Sequence, residues 1–183
     1  MRIVGGRLSG RILQGPKNDG IRPTADRLRE SLFNILVHAY GDPVTGARVL
    51  DLFAGTGALG LEALSRGAAF TLFVDDGAEA RALIRNNVEA LGAGGISRVF
   101  RRDVTNLGPV APLDPFSLIF LDPPYGRGLA EKALVSARDG GWLAADALIV
   151  VEEAKGAFAA PEPFEEIERR DYDDTEIVFL RLK

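Results

Sequence analysis

An apolar run, Phe116 to Leu121, ends on Asp122, Pro123, Pro124 and Tyr125. A short continuous apolar run reads as a buried strand. A carboxylate, two residues without N–H groups and an aromatic ring therefore stand at its tip. Proline ends strands and fixes φ near about −65°, which accounts for a turn but not for Asp122 or Tyr125. The set suits a flat ring that carries an exocyclic amine. The lone pair of such a nitrogen is delocalised into the ring, which makes it a poor nucleophile. Two acceptors at its two N–H groups, the Asp122 carboxylate and the Pro123 carbonyl, would draw it towards tetrahedral geometry. The prolines stiffen the loop and leave its rim rich in acceptors. Tyr125 can stack on the ring and hold the amine in line with a methyl donor. The protein's share of such chemistry is positioning and electrostatics.

A second motif precedes it. The stretch DLFAGTGALG places Gly55, Gly57 and Gly60 in a G-x-G-x-x-G pattern between a predicted strand and a predicted helix. Glycine allows a tight turn and close approach of a ligand, and a helix start offers unpaired N–H groups. Asp75 ends the next strand, 20 residues after Gly55, and suits the two hydroxyls of a ribose. The pattern alone is shared by nicotinamide, flavin and S-adenosylmethionine proteins. Asp51 separates them. A carboxylate four residues before the first glycine sits badly beside a pyrophosphate and suits a cationic ligand, such as the amino group of a methionine moiety. Asp103, at the end of the third strand, could accept from an adenine amino group.

Around these motifs the pattern alternates strand and helix from residue 47: strands 47–53, 70–75, 97–103, 116–122 and 147–153, with helices over 58–67, 78–92 and 128–141. Such alternation implies a mostly parallel sheet with helices on both faces, a doubly wound α/β fold. The segments 164–172 and 176–183 alternate with period two and read as an antiparallel pair that finishes the sheet. In such a sheet the fourth strand lies beside the first, so Asp122 is expected near the glycine loop. Glu152 and Glu153 read as a solvated strand end, and Trp142 as packing. Before this domain, RIV and RLSGRIL form a short hairpin, and residues 21–40 a helix with Pro23 near its start and Thr24 as a cap. Its apolar face carries Leu28, Leu32, Ile35 and Leu36, and its polar face Arg27, Arg29, Glu30 and Asn34. The expected division is residues 1–41, a basic extension, and 42–183, the catalytic domain.

Composition narrows the chemistry further. The 183 residues are 46% hydrophobic and 26% charged, an ordinary globular balance. No apolar run reaches the roughly 20 residues of a membrane span. The N-terminus shows no signal-peptide stretch, so a cytoplasmic protein is expected. Cysteine is absent and His38 is the one histidine, which excludes a thiolate nucleophile and a zinc site of Cys or several His ligands. No metal is expected. The net charge is −4, yet residues 1–31 hold seven basic residues, Arg2, Arg7, Arg11, Lys17, Arg22, Arg27 and Arg29, against three acidic ones. Such a patch on an acidic body suits nucleic-acid phosphates.

LDLFAGTGALG together with FLDPPYG resembles the class I S-adenosylmethionine-dependent methyltransferases that modify exocyclic amines. MRIVGGRLSGR, IRPTADRLRESLFNIL and LEALSRGA are similar to the RsmD family, the 16S ribosomal RNA guanine-N2 methyltransferases. The resemblance spans nearly the whole chain. It implies a Rossmann-like sheet of seven strands with the last antiparallel, S-adenosyl-L-methionine as methyl donor, and a partly assembled small subunit as substrate. By position it assigns Asp122, Pro123, Pro124 and Tyr125 to the catalytic motif. It assigns Asp51, Phe53, Ala54, Gly55 and Gly57 to the cofactor loop, with Asp103 and its neighbour Val104 further along. Arg22, Pro23 and Thr24 match a segment near cofactor and substrate, and Arg7, Arg11 and Arg27 complete the RNA-facing set. Many relatives carry Glu where this chain has Asp75 followed by Asp76, so either Asp could meet the ribose. An adenine-N6 methyltransferase uses the same four-residue motif, and a non-catalytic nucleotide-binding module would share the fold. A nicotinamide dehydrogenase would need a general acid–base that these motifs lack.

Overall fold

The computed structural model describes residues 1–17 and 25–183. Seven strands form one sheet: β1 (Arg48–Leu52), β2 (Phe70–Val74), β3 (Ser97–Phe100), β4 (Phe116–Leu121), β5 (Leu143–Ala154), β6 (Phe164–Tyr172) and β7 (Thr175–Leu182). Their order is β3-β2-β1-β4-β5-β7-β6. The first five are mutually parallel, and β7 runs antiparallel to both of its neighbours. The expected closing pair is present, with β7 inserted between β5 and β6.

The apolar strand runs follow from cover on both faces. Alternate residues turn to opposite sides. Val49, Phe73, Phe120, Val150 and Phe179 meet α1 (Asp26–Ala39), α2 (Ala58–Ser65) and α3 (Ala78–Ala90). Leu50, Leu72, Ile119, Ile149 and Val178 meet α4 (Leu129–Asp139) through Ala130, Ala133, Leu134 and Ala137. Trp142 is fully buried on this side, as expected of packing, and its Nε1 donates to the Gly108 carbonyl at 2.7 Å. His38 lies exposed in the last turn of α1.

Helix α2 is buried along its whole length because the N-terminal arm covers the side that the sheet does not. The arm is the expected hairpin, closed by the antiparallel bridge of Arg2 with Ile12. Val4 and Gly5 donate backbone N–H groups to Glu62 of α2, each at 2.9 Å, and the Arg7 N–H donates to the Ser65 carbonyl at 2.9 Å. Gly6 lets this contact form: its φ is +80°, and a Cβ there would lie 2.0 Å from the Ser65 carbonyl oxygen.

Arg29 departs from its expected place on the polar face of α1. It is fully buried, donates to Asp26 Oδ1 at 2.7 Å and to the Arg2 carbonyl, and lies 3.6 Å from Glu62 Oε1. The buried Glu62 carboxylate needs a counter-charge, and the arm closes over both. Arg29 is therefore part of the scaffold and adds nothing to an exposed basic patch. The helix begins at Asp26, with Ala25 as an N-cap that makes no side-chain bond. Pro23 and the expected cap Thr24 lie outside the described residues.

Candidate active site

The chain reverses its winding between β1 and β4, and ligands of open α/β sheets bind at the carboxyl ends of such strands. A cleft of about 570 Å³ opens there. Asp51, Phe53, Ala54 and Gly55 line it from β1 and its loop, Asp75 and Asp76 from the end of β2, and Asp122, Pro123 and Pro124 from the end of β4. The first three residues of the Asp-Pro-Pro-Tyr loop thus share one cavity with the start of the glycine loop, as adjacent strands predict, whereas Gly57 and the half-buried Tyr125 do not line it. A larger groove, about 730 Å³, lies between α4 and the loop around Thr105 and contains none of these residues.

The glycine loop is tightly determined. Phe53 has φ +58°, left-handed for a residue with a side chain, and sits on the cleft wall. Gly57 caps α2 at φ +81°. Gly60 is where the helix presses on the sheet: a Cβ there would stand 2.5 Å from the Phe73 ring and 3.0 Å from Asp51 Oδ2. That proximity lets the Gly60 N–H donate to Asp51 Oδ2 at 3.0 Å. Asp51 is almost fully buried. Burial pushes its carboxyl up to about 8, helped by the nearby Asp75 charge and opposed by the Gly60 bond. Asp75 ties two loops together, accepting from Gly55 N–H at 3.0 Å and Gly77 N–H at 2.9 Å. Asp76 is exposed on the same wall.

Asp103 and Val104 do not line this cleft. Asp103 accepts from the backbone N–H and the hydroxyl of Thr105, at 2.9 and 2.7 Å, and so caps a short turn. Val104 is buried against α4 in the core. Of the expected RNA-facing residues, Arg7, Arg11 and Arg27 are exposed, and Arg11 also caps the end of α3 by donating to the Ala90 carbonyl at 2.6 Å. Arg22 and Thr24 lie outside the described residues.

Three residues escaped the sequence reading. Glu152 and Glu153 are buried rather than solvated, because the 122–126 loop folds down on the end of β5. The Tyr125 hydroxyl donates to Glu152 Oε1 at 2.7 Å and the Gly126 N–H to Glu153 Oε1 at 3.0 Å. Asn87 is buried in α3, donates to the Thr56 carbonyl of the glycine loop at 3.1 Å and accepts from the Gln14 N–H of the arm at 2.7 Å. Its signal was available: a polar residue within the apolar stripe Ala80, Leu83, Ile84, Val88.

Among the described residues, no group of three or more His, Cys, Asp or Glu side chains could hold a metal, and no helix is long and apolar enough to cross a membrane. A sheet of this order with one reversed strand, carrying a glycine loop and an Asp-Pro-Pro-Tyr loop on adjacent strands, is that of a Rossmann-like methyltransferase. The solved structure of yhhF from Escherichia coli superposes with a TM-score of 0.82 at 35% identity, covering 100% of this chain and 98% of that one. The family model described as conserved hypothetical protein 95 matches residues 1–181. The chain is 46% identical over 153 residues to ribosomal RNA small subunit methyltransferase D of Escherichia coli K12, covering 83% of this chain and 74% of that protein. It is 34% identical over 157 residues to the protein of that name in Haemophilus influenzae, covering 85% and 79%. The chain belongs to the RsmD family of methyltransferases.

Proposed function

We propose that this chain transfers a methyl group from S-adenosyl-L-methionine to the exocyclic N2 amine of a guanine in the 16S RNA of the small ribosomal subunit. The observation that carries the reading is the shared cleft. Its walls bear Asp51, Asp75, Asp76, Glu79 and Asp122 together with the glycine loop. Such a wall repels a pyrophosphate and attracts a ligand that bears a sulfonium and an ammonium group. The residues present therefore fit S-adenosylmethionine and do not fit a nicotinamide dinucleotide. Asp51, which keeps its proton near neutral pH in the free protein, would give it up to hold the ammonium end, and Asp75, pinned by two backbone N–H groups, the ribose hydroxyls. Bound there, the cofactor supplies an electrophilic methyl group.

The chain's own part is to deliver the nucleophile. The Asp122 carboxylate and the Pro123 carbonyl accept the two N–H groups of the guanine amine, which restores its lone pair. Tyr125 stacks on the base after it leaves the helix. Asp122 then offsets the positive charge that grows on nitrogen, and the methylated amine becomes neutral again by giving up one proton to water. The names of the curated relatives support a small-subunit RNA substrate. The N-terminal extension, residues 1–41, would grip its phosphates, compensating for an acidic body of residues 42–183 and favouring a folded, partly assembled particle over bare RNA. The protein would act in the cytoplasm, where subunits are assembled.

The test uses the full chain, radiolabelled S-adenosylmethionine and small-subunit particles from cells that lack the gene. Label in one 16S guanine at N2 is expected. Label at adenine N6 would replace the guanine reading, and no transfer to either particles or free RNA would refute it.

A further inference from the structure

A strand end ordinarily meets water, yet Glu152 is 8% exposed and Glu153 0%. A buried carboxylate is costly unless donors meet it. Successive strand residues face opposite sides of the sheet. Glu152 lines a small cavity with Leu28, Arg29 and Leu32 of α1, while Glu153 stands opposite Glu176 of β7. Like charges in such a cross-strand pair lower stability, although Arg169 pairs with Glu176. Both carboxylates meet a single loop. Glu152 takes the Tyr125 hydroxyl, and Glu153 takes the Gly126 N–H as well as that of Ala154, at 2.8 Å. The far end of the 122–126 loop is therefore gripped from both faces of β5. A loop that only reversed the chain would need neither bond.

We infer that Glu152 is a positioning residue for methyl transfer, acting through the Tyr125 hydroxyl to hold the ring in one side-chain rotamer, while Glu153 fixes the backbone beside it. The inference rests on the functional reading above. A ring whose tip is free samples several χ1 rotamers, few of which place it against a base held in line with the methyl group. A bond to a buried carboxylate selects one rotamer before the base arrives, so the ordering cost is met during folding. The bond also changes what Tyr125→Phe should do. If only the ring mattered, phenylalanine would be neutral. Here it removes the donor that fixes the ring.

A double-mutant cycle in the full chain tests this, read as single-turnover methylation of small-subunit particles at saturating cofactor. Tyr125→Phe and Glu152→Ala should each slow the step about tenfold, as expected for a hydrogen bond to a charged group. The double variant should be no slower than either single one, because both remove the same interaction. Glu152→Gln keeps an acceptor oxygen and should recover most of the rate. Losses that multiply in the double variant, or a normal rate in Glu152→Ala, would overturn the inference. A substrate-free measurement separates it from the functional reading. NMR of tyrosine-labelled protein should find the Tyr125 ring restrained in wild type and released in Glu152→Ala. A ring unaffected by Glu152→Ala refutes the positioning role even in an active enzyme. If wild type methylates no RNA while the ring is still released, the functional reading falls and the hold on Tyr125 stands.

Discussion

A carboxylate beside a nitrogen that gains positive charge stabilises it most when the carboxylate is fixed and poorly hydrated. Asp122 is half-buried on the cleft wall, directly before the buried Pro123. Asp122→Asn keeps size and one carbonyl but loses the charge. Its single-turnover rate should fall about 10²–10³-fold, with little change in the thermal midpoint, because the residue lies beyond the end of β4. A normal chemical rate would remove Asp122 from the mechanism. Asp51 makes a different prediction. Its folded carboxyl titrates near about 8, against an ordinary 3.8. The folded protein thus holds a proton that the unfolded chain has lost. The associated stability is complete below about pH 4 and is lost as pH rises through about 8. The thermal midpoint of wild type should fall relative to Asp51→Asn between about pH 5 and pH 9. A constant difference would mean that Asp51 titrates as an ordinary exposed carboxylate. Cofactor affinity should drop more than tenfold in the same variant, since a hydrogen bond to a charged group is worth about 1.5–3 kcal/mol.

Between elements, the decisive joint is α2 with the arm and α1. Glu62 is fully buried, accepts the Val4 and Gly5 N–H groups, pairs with Arg66 at 2.8 Å and faces Arg29. Removing one partner of a buried pair leaves an uncompensated charge and costs about 3–5 kcal/mol. Glu62→Ala should lower stability by that order in denaturant titration. Amide exchange should rise first in residues 3–13, where the arm loses its anchor. Loss confined to α2, with the arm still protected, would show that the arm docks through apolar contacts such as Ile3 and Leu8 alone.

Across the whole molecule, charge is distributed against its total. A chain of net charge −4 keeps Arg7, Arg11 and Arg27 exposed on the arm and α1, while its cleft is lined with acidic residues. Phosphates and the cofactor would then be sorted to different surfaces by sign. Replacing the three arginines with alanine should weaken RNA binding and flatten the dependence of log K on log salt by about two units, given roughly 0.7 per single-strand phosphate contact. Cofactor affinity, measured by calorimetry, should stay the same. Unchanged methylation of particles at physiological salt would reduce the arm to a scaffold element.

Local signals determined much of this protein. Strand and helix alternation, the glycine loop before α2, the Asp-Pro-Pro-Tyr tip of β4 and the antiparallel closing pair were legible because each depends on residues near in sequence. The co-location of the two motifs followed from the rule that parallel strands end on one edge. Burial of charge was not legible, because it depends on what covers a residue from elsewhere in the chain. Arg29 occupies a polar-face position of α1 but is enclosed by the arm and Glu62, 33 residues further on. Glu152 and Glu153 end a strand but are roofed by a loop that starts 30 residues earlier, at Asp122. Asp103 ends the third predicted strand as Asp75 does the second, yet its own neighbour Thr105 takes both bonds to it. A carboxylate at a strand tip can serve a ligand, a turn or a neighbouring loop, and only the tertiary structure decided which donors reached it.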